Sequence, residues 1–330
     1  MAAMNLRYYL QIGKGLRKFF YYVGCAAGYT VPRIIFRRNL RRAISCLSEA
    51  ELAEARARAD YYNRMTPAQV PQSGWTRVGD YRYPWRAKQH FSTYFFELDR
   101  CVKYFAPDAR FDYLFGDIIH EPDAPAFVKS RPIAAGATNS VVLKLDRIRH
   151  FNFINDPKAF TTKKDMLVSR NVVRQPHRRL LLEKYFGHPL CDLGQVNTDT
   201  DHPEWITPYM TMSQQLDYKF IACTEGNDVA TNLKWVMSSN SIAVMPPPRY
   251  ETWFMEGSLI PGTHYIEVRP DYSDLEEKLQ YYIDHPDEAL AIIDNAHKYV
   301  DRFSNRKVER ATGLLVVKKY LELTGQMTQS

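Results

Sequence analysis

Three short stretches of this sequence have residue types and spacings that could do chemistry. The first is SRNVVRQPHRR, residues 169–179, which gathers Arg170, Arg174, Arg178 and Arg179 around the expected start of a helix. Guanidinium groups beside exposed helix amides suit a phosphate or diphosphate. A solvated charge run is the alternative. The second is TEGNDVATNLKW, residues 224–235. There Gly226 permits close backbone approach, and Asn227 and Asp228 open a segment whose amides could face an anion. The third is Asp117, directly after FDYLFG. A carboxylate at a strand end can take a proton from a substrate hydroxyl, or simply cap the next element.

Other chemistries find little footing. There is no GxGxxG and no Walker A loop, so nicotinamide and ATP chemistry are unsupported. The nine histidines show no HxxxH or HxH spacing, and the five cysteines (Cys25, Cys46, Cys101, Cys191 and Cys223) form no CxxC pair. A transition-metal centre and a disulfide framework are therefore not expected, and the thiols fit a reducing compartment. Asp199-Thr200-Asp201 is a DxD triplet of the kind that can hold a divalent metal through phosphates. It lies in a polar loop, so a solvated turn is the stronger reading.

These residues need elements to position them. Phe111–Phe115, Ala126–Val128, Asp165–Ser169, Lys219–Thr224, Ser241–Met245 and His264–Val268 read as strands. Pro176–Phe186 reads as a helix with proline in its first turn and Gly187 as its stop, and Asp228–Ser238 reads as another. Residues 48–65 suggest a surface helix capped by Ser48, and a long helical region starts at Ser273, which has capping-box spacing to Glu276. Strands alternating with helices predict parallel βαβ units, whose ligands bind beyond the carboxyl ends of the strands. The turns after Ser169 and after Thr224 lie at that edge. The aromatic cluster Phe91, Tyr94, Phe95 and Phe96 could stack on sugars or pack in a core.

The 330-residue chain has a formal net charge of +7, but the excess is local. Residues 1–50 hold nine basic residues and one acidic residue, while the other 280 hold 35 basic and 36 acidic. A nucleic-acid partner is therefore not expected. The longest uncharged run of the arm, Phe19 to Pro32, is 14 residues, short of the roughly 20 that span a bilayer. A signal peptide fits poorly, because basic residues straddle that run. Residues 1–47 read as a basic aromatic arm for an anionic membrane surface, or as helix packed on its own domain.

Three co-linear blocks resemble glycosyltransferase family 90, which includes Rumi-like protein O-glucosyltransferases and bacterial lipopolysaccharide core glycosyltransferases. They are DYLFGDIIHEPDAPAFVKSRPI (112–133), QPHRRLLLEKYFGHPLCDLGQV (175–196) and the run from Asp217 to Pro286. The first two are most similar to the bacterial members. The resemblance implies an α/β, GT-B architecture with two Rossmann-like domains facing across a cleft. The expected divisions are an arm (1–47), an acceptor-side domain (48–162) and a UDP-sugar-binding domain (163–330).

The resemblance also implies an inverting transfer of a hexose, glucose or galactose, from a UDP-sugar to a lipopolysaccharide or lipooligosaccharide core, with no obligatory metal or other cofactor. A protein or capsule acceptor, or a non-catalytic homologue on a membrane surface, are the alternatives. Asp117 falls on the family's base aspartate and Arg178 on its donor-binding arginine. The family's Arg-Gly-Ser turn falls on Arg170-Asn171-Val172, so a hydroxyl is missing. Asn232 stands where an arginine is expected, with Lys234, Arg174 or Lys129 as replacement cations and Arg131 as a further auxiliary residue. Gly226, Asn227 and Asp228 complete the donor-binding set. A cytoplasmic enzyme, peripheral on the inner face of the membrane, needs no export signal.

Overall fold

In a computed structural model, residues 14–66, 74–84, 92–134 and 136–328 are described. The longer helices are α1 (Lys14–Thr30), α2 (Arg33–Ser45), α3 (Glu49–Tyr62), α4 (Ser92–Val102), α5 (Pro176–Tyr185), α6 (Leu275–Asp284), α7 (Pro286–Asp301) and α8 (Arg306–Leu323). The chain divides into two compact units. One comprises His150–Pro248 and Glu256–Arg302; the other comprises the described residues up to Arg149, Arg249–Met255, and those from Phe303 on.

The first unit is built on a five-stranded, all-parallel sheet: β1 (Lys164–Asn171), β2 (Cys191–Gln195), β3 (Tyr218–Ala222), β4 (Ile242–Met245) and β5 (Ile266–Glu267). Every residue of β3 and β4 is buried, as a strand covered on both faces by helices requires. Phe160, Leu167, Phe220, Ile242, Val244, Ile266, Leu279 and Ile292 belong to one continuous core. The order across the sheet is β5-β4-β3-β1-β2. The connection after β1 runs to one side and the next crosses to the other, so the carboxyl ends of β1 and β3 flank the topological switch point.

The second unit is helical with short strand pairs. α8 packs along α3 and meets α2 and α4, and α1 lies on α4. Thr76–Arg77 pairs antiparallel with Arg110–Phe111, Ala126–Val128 parallel with Ser140–Val142, and Arg131–Pro132 antiparallel with Tyr250–Glu251. Among the described residues it holds these pairs rather than a second large sheet. Buried charges knit it together: Glu309 accepts hydrogen bonds from Arg58, Lys144 and the Trp253 indole.

Several sequence expectations are met. Ser48 caps α3 in a capping box with Glu51, α5 starts at Pro176, and Gly187 past its end has a φ of +79°. Others are corrected. The helix expected over Asp228–Ser238 shrinks to Leu233–Val236, because Asn232 turns its side-chain amide to the Ala222 carbonyl (2.9 Å) and polar or β-branched residues precede it. No capping box forms between Ser273 and Glu276, since the Ser273 hydroxyl bonds Asp271 and Asp274 occupies the N-cap. The strand expected over Phe111–Phe115 is regular only at Arg110–Phe111. Beyond it, Phe127 N–H donates to the Asp112 carbonyl and Leu114 N–H to the Phe127 carbonyl.

Candidate active site

The switch point of the parallel sheet is organised around Arg178. Proline at the start of α5 sets the helix directly after β1, so Arg178 lies in its first turn and turns back over the strand ends. Its Nε donates to the Glu225 carbonyl (2.8 Å), Nη2 to the Thr224 carbonyl (3.0 Å) and Nη1 to the Val172 carbonyl (2.9 Å). One guanidinium therefore stitches the loop after β1 to the loop after β3. His177 Nε2 lies 2.8 Å from the Glu225 carbonyl, and Gln175 donates to Asn227 (3.1 Å), which reinforces the same junction. Gly226 keeps the surface open beside it, since a Cβ there would come within 3.4 Å of Nη2.

All of Arg178's partners are neutral backbone oxygens. No carboxylate among the described residues pairs with it, and burial pushes its pKa below the usual arginine value. A partly buried cation without a counter-charge favours an anionic ligand, which would supply that charge.

The other cations expected from the sequence are placed differently. Arg170 bonds the Asp192 carboxylate (2.5 Å) and the Ser169 and Asp192 carbonyls. Arg174 pairs with Asp199 at 2.6 Å, both exposed, and Arg179 approaches Asp201 at 4.0 Å. Lys234 is wholly buried against Glu256, and Arg131 is buried against Glu251 and the carbonyls of Tyr61, Tyr62 and Ser140. Lys234 and Arg131 are thus buried in carboxylate pairs, and Lys234 does not present at the surface the cation expected at position 232. Asn171 bonds the Ser169 hydroxyl at 2.8 Å, and Asp228 is buried.

Asp117 belongs to the second unit. Gly116, with φ +117°, makes the turn that presents it, a conformation side-chain-bearing residues rarely adopt. Lys129, immediately beyond the strand Ala126–Val128, places its ammonium 2.5 Å from Asp117 Oδ1. Arg149 Nη2 lies 3.9 Å from the same oxygen and bonds Asp146 through Nε at 2.9 Å. Lys129 is buried while Asp117 stays partly exposed, so a buried ammonium holds a carboxylate that solvent still reaches. Tyr94 is buried close by. Burial pushes its phenol up to about 12, with Lys129 and Arg149 acting against the rise and Asp146 and Asp117 adding to it.

Sequence reasoning missed Arg149, 32 positions from Asp117 with no motif linking them, and His177, which only the folded junction explains. Phe95 stacks on Tyr81 (4.5 Å between ring centroids) and Phe96 on Tyr83 (5.3 Å), both buried, so that cluster packs in the core. Phe91 lies outside the described residues. Among the described residues, no three His, Cys, Asp or Glu side chains gather as a metal site.

Comparison with known proteins adds a second, independent line. A sequence profile described as glycosyl transferase family 90 matches residues 163–320. A protein described as O-glucosyltransferase LpsA from Dichelobacter nodosus is 42% identical over 276 residues, covering 82% of this chain and 85% of that protein. Two viral proteins described as uncharacterized are similar over shorter spans. One, from Frog virus 3, is 34% identical over 114 residues (33% of this chain, 12% of that protein). The other, from Invertebrate iridescent virus 6, is 28% identical over 137 residues (39% and 11%).

Proposed function

The chain belongs to glycosyl transferase family 90, and from that premise we propose that this glycosyltransferase moves a hexose from a UDP-sugar to a lipopolysaccharide or lipooligosaccharide core, inverting the anomeric carbon. The observation that carries the donor half is Arg178, a half-buried guanidinium at the switch point whose partners are all neutral carbonyls. A UDP diphosphate supplies the missing counter-charge, with Gly226, Asn227 and the Asn232 turn around it. Arg170 and Arg174 stand at the margin of this site, each already facing a carboxylate.

Asp117 is the base in this reading. The acceptor hydroxyl oxygen bonds to the anomeric carbon as the bond to the UDP oxygen breaks, and the hydroxyl proton passes to the Asp117 carboxylate. UDP leaves carrying the electron pair, its charge steadied by Arg178 and neighbouring amides. Lys129 holds one carboxylate oxygen in place through the step. The proposal includes a GT-B arrangement, with the sheet unit holding donor and the Asp117 unit presenting acceptor across a cleft. It also places the enzyme on the cytoplasmic side, peripheral at the membrane that carries the acceptor. Glucose is the first donor to try, because the relative from D. nodosus is described as an O-glucosyltransferase.

UDP release from a panel of UDP-sugars, with EDTA and with Mn²⁺, tests this reading without needing the acceptor. The expected result is slow release from one UDP-hexose, insensitive to EDTA. Release that requires Mn²⁺ would overturn the metal-free mechanism and return attention to Asp199 and Asp201. Silence with every donor, together with no UDP binding at millimolar concentration, would sink the donor assignment.

A further inference from the structure

α1 is apolar on two opposite sides, and only one is covered. Tyr21 and Cys25 are buried against the second unit; the Tyr21 hydroxyl donates to Glu97 at 2.5 Å, and Arg17 donates to the Ile148 carbonyl at 3.1 Å. Positions 17, 21, 25 and 28 recur at helical spacing and make this docked face. Half a turn away lie Leu16, Phe19, Phe20 and Val23, exposed at 50%, 60%, 58% and 49%. Their spacing of i, i+3, i+4 and i+7 makes a continuous apolar stripe, the pattern a helix uses to bury a face.

The two helices at this end of the described chain carry charge of one sign. α1 carries no acidic residue, and neither does α2. On α2, Ile34, Arg38 and Arg41 share one exposed face at i, i+4 and i+7, with Arg42 beside them. No carboxylate among the described residues pairs with Arg38, Arg41 or Arg42. Among the described residues, no helix is long and apolar enough to cross a membrane.

We propose that α1 is an interfacial helix whose Leu16, Phe19, Phe20 and Val23 enter the acyl boundary of an anionic bilayer, while Arg38 and Arg41 of α2 meet the lipid headgroups. An exposed apolar stripe on α1, followed directly by a helix with an exposed basic face, neither helix carrying an acidic residue, matches that surface in both hydrophobicity and charge. The proposal rests on the peripheral-membrane part of the reading above and sharpens it. Residues inserted into lipid bind whatever the salt concentration, whereas residues acting only through charge are screened by it. The unit carrying Asp117 is thereby held at the surface where a lipid-linked acceptor resides.

Co-sedimentation of the full chain with vesicles of phosphatidylcholine, with and without phosphatidylglycerol, tests it. Wild type is expected to bind the anionic vesicles and to retain part of that binding at high salt. Phe19→Ser/Phe20→Ser should lower the partition coefficient about tenfold or more, at low and high salt alike. Arg38→Glu/Arg41→Glu should lower it at low salt by about fivefold or more for each charge lost, and far less at high salt. Both variants leave the docked face of α1 intact, so donor hydrolysis in free solution should stay at the wild-type rate and serves as the check on folding. Undiminished binding by Phe19→Ser/Phe20→Ser would overturn the inserted stripe while leaving membrane association standing. Wild type ignoring every vesicle would overturn both. A wild-type dimer in solution that the same variant converts to monomer would assign the stripe to a second copy of this chain and overturn the lipid assignment.

Discussion

The Arg178 junction of the sheet unit and the core of the other unit place their cations against different acceptors, and the difference separates binding from scaffolding. At the switch point of the parallel sheet, Arg178 spends its donors on the carbonyls of Val172, Thr224 and Glu225. Carbonyls satisfy the hydrogen bonds but carry no formal charge, so the guanidinium remains a positive site. In the core of the other unit Arg131 faces Glu251, and Arg58 and Lys144 share Glu309. Those pairs cancel charge where they stand. Counting basic residues does not distinguish the two situations; the acceptors do.

Breaking a cancelled pair should have the largest effect on stability. Arg131 and Glu251 are both fully buried, and Arg131 also ties the carbonyls of Tyr61, Tyr62 and Ser140. Glu251→Ala strands that guanidinium and should cost about 3–5 kcal/mol in urea unfolding. A loss under about 1 kcal/mol would mean that water reaches Arg131 and the pair is not a closed one.

The comparison is sharpened by two arginines only eight residues apart. Arg178→Lys should weaken UDP binding about 10- to 100-fold by calorimetry, the worth of one or two charge-assisted hydrogen bonds. Arg170→Lys, whose charge faces Asp192, should change it by less than about threefold. Equal losses at both positions would erase the distinction drawn between carbonyl and carboxylate partners.

Packing in the sheet unit supplies a third test. A Cβ on Gly194 of β2 would lie 1.8 Å from the Thr207 hydroxyl oxygen. Gly194→Ala should therefore cost about 1–3 kcal/mol through overpacking. Gly194→Ala/Thr207→Ser removes the methyl that a Cβ would also meet and should recover part of the loss.

The smallest effect is a pH dependence shared by both units. Burial alone would raise the Asp192 pKa, but hydrogen bonds from Tyr218 and Arg170 outweigh it and hold the carboxyl below its usual value. Burial likewise opposes ionisation of Glu309, and Lys144 and Arg58 overcome it. For a depressed carboxylate the stabilisation is present above the unfolded pKa of about 4 and is lost as pH falls through the lower folded value. Thermal midpoints should drop as the medium is acidified below about pH 4, and Asp192→Asn should flatten part of that slope. An unchanged slope in the variant would remove Asp192 from the account.

The sheet unit was the more legible of the two in the sequence. The apolar runs Phe220–Cys223 and Ile242–Met245 announce β3 and β4, and Pro176 with Gly187 brackets α5, because these signals are local and physical. The other unit resists such reading. It completes itself with residues 249–255 and 303–328, so Glu251, Trp253 and Glu309 meet partners roughly 120 to 250 positions away. Long-range pairing of that kind leaves no periodicity behind. The candidate site divides the same way. Position beyond a strand pointed to Arg178 and Asp117, but only the folded chain shows that Arg178 keeps its charge while Lys234 and Arg131 are consumed internally. The helix expected at Asp228 failed because a side-chain hydrogen bond from Asn232 competes with the backbone ladder, a contest propensity does not record.

The most direct test of the division of labour is Asp117→Asn, measured for turnover of the preferred UDP-sugar and for UDP affinity on the same preparation. A base that takes the attacking hydroxyl's proton contributes about 10²–10⁴ to the rate and little to nucleotide binding. The account predicts turnover reduced by that factor with UDP affinity within about twofold of wild type. Turnover that survives the substitution, or a UDP affinity that falls with it, would contradict the assignment of Asp117 as the base and of the Arg178 junction as the donor site.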